Sequence, residues 1–350
     1  MRITNSMIQN NVMYNINNNL YTMNTIYSQL STGKTIQSPS DDPIGASNAM
    51  KYEAYLSDIE QYTSNANDAY AWMEVTESAL ESLDDCVTRT NELMLQASSE
   101  TVTQEDREKI QAEVNQLMDE IIEIANSDYA GTYIFAGYES STPPFEVEET
   151  VIGPKVTYQD TYLCLEGSVS STYSDTDIET FYNAQLGNAI GADEKEQIMT
   201  FNINANSDVD VNIEGYELIG ESLGDLYETC VQFDLYLSGD TNYKYVDTTT
   251  VPVTVITEEI STDNLINALS DSQDSLLSLH AEMGAKMNYV EMTINRLSDD
   301  ELTYKTLLSE TEDADIAGVS VELSQAEYVY EASLSSASKI IMPSLVDFMR

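Results

Sequence analysis

Residues 52–97, YEAYLSDIEQYTSNANDAYAWMEVTESALESLDDCVTRTNELMLQA, carry the pattern that decides the fold. Alternating steps of three and four from Tyr52 land on Tyr52, Tyr55, Ile59, Tyr62, Ala66, Ala69, Met73, Thr76, Leu80, Leu83, Val87, Thr90, Met94 and Ala97. Only the two threonines in that series are not apolar. A column with this spacing stays on one side of an α-helix, and sustained over six heptads it is a coiled-coil seam. Its beginning is marked by Pro39-Ser40-Asp41-Asp42-Pro43. Asp41 and Asp42 are suited to a turn, Asp42 can cap free amides, and Pro43 fits a first helical turn, where a missing N–H costs nothing. A helix over 44–97 would be about 80 Å long. It needs other helices to cover its seam.

Such helices are legible on both sides. Ile110, Val114, Leu117, Ile121 and Ile124 follow a capping-box-like start at Thr103-Gln-Glu-Asp106. Toward the C-terminus, Leu269, Ser272, Leu276, Leu279, Met283, Met287, Val290, Ile294 and Leu297 form one run. Ile316, Val319, Leu323, Ala326, Tyr330, Leu334, Ala337, Ile341, Leu345 and Phe348 form another, and Met13, Ile16, Leu20, Met23, Tyr27 and Leu30 form an N-terminal counterpart. Between about 138 and 260 the texture changes to short β-type runs separated by Gly, Asp, Ser and Pro. These are KVTYQ (155–159), MTFNIN (199–204), VDVNI (209–213) and VPVTVIT (251–257), with YIFAGY (133–138) at the entrance and short helical stretches near 175–190 and 222–238. The expected fold is therefore mainly α with an inserted β-rich domain. Long antiparallel helices from both chain ends make a coiled-coil-like rod. Residues 1–43 and 315–350 would be terminal assembly helices, 44–137 and 261–314 the helical rod, and 138–260 the insert.

The charge excludes several functions. With 14 Lys+Arg against 61 Asp+Glu, the 350-residue chain carries −47, which repels polyanions and argues against nucleic acid as a partner. The first 70 residues carry only −3 and residues 320–350 only −2, so the middle holds −42. Nearly neutral ends suit packing against copies or partners. No run of about 18 apolar residues predicts membrane insertion. The start, MRITNSMIQNNVMYNINNNL, has no continuous apolar segment, so no cleaved secretory signal is expected. Cys86, Cys164 and Cys230 are odd in number and form no CxxC pair, which indicates neither a disulfide framework nor a thiolate metal site.

Catalytic and ligand-binding patterns are sparse. The one histidine, His280, sits in a helical stretch without a nucleophile elbow. Asp41-Asp42 read as a turn and cap rather than an acid–base pair. Asp84-Asp85, Asp299-Asp300-Glu301 and Glu310/Glu312/Asp313 lack the ligand spacing and glycine of an EF-hand loop and read as solvated helix faces. No catalytic residue, cofactor or metal is expected. An enzyme housed in the insert, such as a two-carboxylate hydrolase, is the distant alternative.

MRITNSM at the start, the STGK…SPSDDP segment from Ser31 to Pro43, and ANSDYAGTYIFAGY from Ala125 to Tyr138 together resemble the flagellar hook-associated protein 3 (FlgL) family of bacteria. So do Asn212-Ile-Glu-Gly215, Gly284-Ala-Lys-Met-Asn288 and the ending ASLSSASKIIMPSLVDFMR. The wider family includes flagellin, which shares the DDP-type turn and the helical ends. The resemblance covers both helical ends and is weak from about 140 to 260.

It implies a structural junction protein, exported through the flagellar type III channel without a cleaved signal and lying between hook and filament. Terminal helices would form an inner core, with the β-rich domain outside. The implied partners are copies of itself in a ring or tubular layer, the adjacent hook-associated protein, flagellin and an export chaperone. Flagellin itself is the near alternative. By resemblance, the seams at 13, 16, 20, 23, 27 and 30 and at 323, 330, 334, 341, 345 and 348 are the assembly interface. An Asn-rich first helix (Asn5, Asn10, Asn11, Asn15, Asn17, Asn18, Asn19) with poor helix propensity is expected to order on a partner.

Overall fold

The computed structural model describes residues 5–99, 102–159, 161–162, 169–185, 197–205, 207–213, 224–247 and 254–341. Its long helices are α1 (Asn5–Thr32), α2 (Pro43–Ala97), α3 (Gln104–Ala125), α6 (Thr262–Glu312) and α7 (Ile316–Ile341). Two shorter ones, α4 (Asp175–Gln185) and α5 (Gly224–Ser238), lie within the β-rich segment. The chain is mainly α with small antiparallel sheets. It divides into two compact units, residues 1–61 with 297–350 and residues 62–296.

In the unit of residues 62–296, the α2 seam is buried along its length. Ala66, Ala69, Met73, Thr76, Leu80, Leu83, Val87, Thr90, Met94 and Ala97 are all at most 1% exposed. The two threonines fit because each hydroxyl donates four residues back, Thr76 to the Trp72 carbonyl at 3.0 Å and Thr90 to that of Cys86 at 2.8 Å. The same apolar cluster takes in Ile110, Val114 and Ile121 of α3, Leu269, Leu276, Met283 and Val290 of α6, and Leu226, Cys230, Phe233 and Leu237 of α5. Polar ties flank it. Gln273 donates to Asp84 at 2.9 Å, Arg89 bridges Glu92 and Glu113 at 2.7 Å each, and the Arg107 guanidinium lies 5.0 Å from the Tyr236 ring centre. α3 begins where Thr103 accepts from the Asp106 amide and its hydroxyl donates to the Asp106 carboxylate. That bond holds the carboxyl below its usual range.

The strands pair only in small sheets. They are β1 (Asp128–Tyr129) with β2 (Thr132–Tyr133); β3 (Phe145–Thr150), β4 (Gly153–Tyr158) and β5 (Thr161–Tyr162) in that order; β6 (Val169–Ser170), β9 (Asn242–Asp247) and β10 (Thr254–Glu259) in the order β10-β9-β6; and β7 (Thr200–Asn204) with β8 (Ser207–Asp210). All pairs are antiparallel. YIFAGY does not form the expected strand. Only Tyr133 is in β2, while Ile134, Phe135 and Ala136 are buried in a turn. Gly137 has φ +59°, and the Gln197 side chain lies over it, accepting from the Tyr138 amide at 2.8 Å. The apolar run is thus a buried plug: the Phe135 and Ala136 carbonyls accept from Tyr158 and Gln159. Residues 251–253 of VPVTVIT lie outside the described residues, and β10 continues from Thr254.

Burial pushes the Cys86 thiol up to about 11, with Glu120 and Asp85 adding to it, and the Cys230 thiol up to about 12. A thiol rather than a thiolate is a poor nucleophile. An aromatic disulfide reagent at pH 8 should therefore leave both unreacted in the native chain and label them on denaturation. Rapid native labelling of two thiols would contradict this packing.

Asp234 on α5 also has its carboxyl pushed up, by desolvation, against the opposing pull of amide hydrogen bonds from Gln111 and Asn115 of α3. A raised carboxyl in the fold means that the native state holds the proton more tightly. Stability from this group should be greatest below the ordinary carboxylate range and decline as pH rises through the raised value. The Asp234→Asn chain should lack that step, so its stability should gain on the wild type as pH rises from about 4. Parallel pH profiles of urea unfolding for the two chains would rule it out.

Candidate assembly interface

In the unit formed by residues 1–61 and 297–350, α1 and α7 pack side by side and antiparallel. The covered side of α1 is the column Val12, Ile16, Asn19, Met23, Ile26 and Leu30, of which Ile16 and Ile26 are buried. Opposite Val12, Asn15 and Ile16, α7 presents the small residues Ala332, Ser333, Ser336 and Ala337. With Tyr328 and Val329 these residues line a cavity of about 320 Å³. Asn19 Nδ2 donates to Ser333 Oγ at 2.9 Å, a bond between residues 314 apart in sequence.

The residues named from the sequence divide over two faces. Ile16, Met23 and Leu30 belong to the covered column, and Leu323 and Tyr330 are half-buried on α7. Met13, Leu20, Tyr27 and Leu334 are instead exposed, at 44% or more. Leu345 and Phe348 lie outside the described residues, and Ile341 is the last helical residue. The sequence spacing of 13, 16, 20, 23, 27 and 30 thus merges two stripes, and it misses Val12, Asn19 and Ile26. The signal that could have found them is the column of steps 12, 16, 19, 23, 26 and 30, whose only polar member is Asn19.

A three-part latch holds the base of this pair. After α1, Gly33 turns the chain with φ +73°, and Lys34 forms an antiparallel bridge with Asp313. The Thr35 amide donates to the Glu312 carbonyl at 2.6 Å, and the Ala314 amide to the Gly33 carbonyl at 2.8 Å. The Lys34 ammonium lies 2.6 Å from the Glu312 carboxylate and 3.8 Å from that of Glu53. Its bond to Glu312 raises the lysine above its ordinary range. Downstream, Asp41 Oδ2 accepts from the Ser38 amide at 2.9 Å and Asp42 Oδ1 from the Ile44 amide at 3.0 Å, with Pro43 as the first residue of α2. Tyr52 and Tyr55 of α2 then stack on Tyr304 of α6, with ring centres 6.2 and 5.3 Å apart.

What this unit leaves to solvent is unusual. Met7, Met13, Tyr14, Leu20, Tyr21 and Tyr27 are exposed on α1, as are Val321, Tyr328 and Leu334 on α7. Scattered apolar residues are normal on a surface, whereas these concentrate on one helix pair. Among the described residues no group of three or more His, Cys, Asp and Glu side chains is arranged to hold a metal, and no helix is long and apolar enough to cross a membrane.

Comparison with known proteins meets the N-terminal helices, α1 to α3. Residues 3–140 match the family described as the bacterial flagellin N-terminal helical region. Flagellar hook-associated protein 3 of Escherichia coli (strain K12) is 33% identical over 150 residues, which is 43% of this chain and 47% of that protein. Flagellin of Clostridium tyrobutyricum is 35% identical over 127 residues, 36% of this chain and 34% of that one. The chain thus spans half or less of the length of the curated relatives it matches. A solved structure described as a flagellar hook-associated protein of Vibrio parahaemolyticus superposes with a TM-score of 0.54 at 16% identity, covering 78% of this chain and all of that one. That likeness shows a shared fold.

Gly33 gives a direct check on the latch. A Cβ there would meet nothing within 4 Å, so Gly33→Ala changes only backbone strain. A left-handed residue with a side chain costs about 1–2 kcal/mol. Unfolding of the unit of residues 1–61 and 297–350 should be destabilised by that amount, with the thermal transition of the unit of residues 62–296 unchanged. An Ala variant as stable as the wild type would show that this turn is not held as described.

Proposed function

We propose that the chain is a structural junction protein of the bacterial flagellum, linking the hook, through the neighbouring hook-associated protein, to the flagellin filament. The observation that carries the proposal is the pair α1 and α7. It is held together from the two ends of the sequence, and it leaves Met13, Tyr14, Leu20, Tyr21, Tyr27 and Leu334 in water. The family match over residues 3–140 and the 33% identity to flagellar hook-associated protein 3 of Escherichia coli support the flagellar assignment.

Under this proposal residues 1–43 and 315–350 form an inner layer, in a ring or tube of copies of the chain. Residues 44–137 and 261–314 form a helical rod, and 138–260 face outward. The acidic middle then lies toward water, where like charges are furthest apart and best screened. Export proceeds without a cleaved signal, with a chaperone covering the exposed apolar ends beforehand. Assembly, rather than catalysis, is the activity.

Flagellin, the filament subunit, is the second reading, favoured by the 35% identity to the Clostridium tyrobutyricum protein. The two separate cleanly in a deletion strain. Loss of a junction protein leaves hooks without filaments and flagellin in the medium, whereas loss of the filament subunit leaves no flagellin in either place. Copy number separates them as well, since a filament subunit dominates sheared flagella.

Leu334→Asp tests the interface within the intact chain. Leu334 is 44% exposed, so the change should hardly alter the melting temperature. Burying a leucine in a contact between chains contributes roughly 1.5–3 kcal/mol, and an unpaired carboxylate there adds several more against assembly. Electron microscopy of the complemented strain should therefore show bare hooks. Normal filaments on the variant would remove Leu334 from the interface, and a lowered melting temperature would make it ordinary core.

A further inference from the structure

Cys86 on α2 and Cys230 on α5 stand far apart in sequence, and their spacing forms no motif. The fold brings them together. Two sets of ties give the register. Arg89 of α2 meets Glu113 of α3 at 2.7 Å. From the other side, Gln111 of α3 donates to Asp234 and Ser238 of α5 at 2.9 and 2.8 Å, and Asn115 donates to Asp234 as well. By these ties α3 runs antiparallel to both neighbours. Cys86 lies one turn before Arg89, and Cys230 one turn before Asp234. Each therefore reaches the level of Leu117 on α3. Both side chains are buried in the same apolar cluster, at 6% and 1% exposed, and both are free thiols. A negative charge on Cys86 is felt at Cys230 and helps to push that thiol up.

We propose that Cys86 and Cys230 are the two halves of a disulfide site, and that their oxidation fastens α5 of the β-rich segment to α2. The co-reactant is a small disulfide RSSR, such as oxidised glutathione. The thiolate of either cysteine attacks it, forms a mixed disulfide and expels one RS⁻. The second cysteine, as its thiolate, attacks the protein sulfur of that mixed disulfide. This forms the Cys86–Cys230 bond and expels the second RS⁻. The two protons given up by the cysteines end on the two RS⁻ groups. Two cysteine thiols thus lose two electrons, and one RSSR is reduced to two RSH.

Burial sets the timing. In the packed chain neither sulfur is a thiolate or open to a reagent, so exchange takes place while α5 is still docking on α2 and α3. Once the packing closes, the same burial guards the bond. A reductant has no path to it, and thiols that hold their protons tightly are slow leaving groups. The bond closes a loop that contains most of the β-rich segment. Closing a long loop takes more freedom from the unfolded chain than closing a short one. The site is independent of α1, α7 and the junction role.

The test uses the full chain with Cys164→Ser, so that only these two thiols remain. The chain is unfolded in urea with reductant and refolded with oxidised and reduced glutathione. Thiols titrated after denaturation should fall from two to none, and a non-reducing peptide map should show Cys86 joined to Cys230 within one chain. The urea midpoint should lie above that of the same chain refolded under reductant. Cys86→Ser and Cys230→Ser chains should lose that shift. Cys86→Ser combined with Ser82→Cys moves the α2 thiol by one turn, keeps nearly the same loop length and should link far less. Two free thiols, or two glutathione adducts, after refolding would overturn the proposal. So would a bond that lowers the urea midpoint, because the native core then does not accommodate it. Equal linking from position 82 would overturn it too, because register would then have no part. None of these outcomes bears on the junction role, which the deletion strain tests by itself.

Discussion

A helix of 55 residues with one apolar side cannot cover that side by itself, and the protein is arranged around the need to cover it. The α2 seam from Ala66 to Ala97 is walled in by α3, α5 and α6, each presenting its own apolar column. α5 belongs to the β-rich segment, yet Leu226, Cys230, Phe233 and Leu237 face the same core as Leu80 and Val87. The insert is therefore anchored in the helical core. Isolated ribbons are marginal in water, and its small sheets, none wider than three strands among the described residues, find support in two places: Phe145, Val156, Ile203 and Val209 join that core, while Val169 of β6 packs with Ile178 and Tyr182 of α4 in a separate cluster.

The chain ends follow a different logic. In the middle of the sequence, apolar side chains are spent on the interior and carboxylates cover the outside. On α1 and α7 the interior takes only one narrow column per helix, and comparable apolar side chains remain outside. A helix with Asn at eight of 28 positions has little intrinsic stability, so its order depends on what covers it. One side is covered by α7. The opposite side bears a second apolar column that is exposed.

Much of this was legible in the sequence. The α2 seam, the Asp42–Pro43 start and the helices on each side follow from period and capping, which are local properties of the chain. The β-rich segment announced itself by composition. Its detail did not: Tyr133–Tyr138 has strand-forming residues, but Gly137 and the distant Gln197 turn it into a buried plug, a tertiary contact that no local pattern carries. On α1 the ambiguity is of another kind. Met13, Leu20 and Tyr27 and Ile16, Met23 and Ile26 both obey helical spacing, and only the position of α7 tells which set faces inward. Tyr55 similarly lies on the sequence seam but is half exposed beside Tyr304, while its neighbour Leu56 is buried.

The bond between Asn19 and Ser333 also bears on chain entropy. Closing a disordered loop of 314 residues directly would cost about 5 kcal/mol in chain entropy, more than one helix pair with a narrow apolar column readily offsets. The folded interior removes most of that cost, because α2 and α6 stand side by side at Tyr52 and Tyr304. What is left to close is only the short stretch through Gly33 and Asp313. The loop that docking of α1 on α7 has to close is then short, although the two helices stand at opposite ends of the sequence.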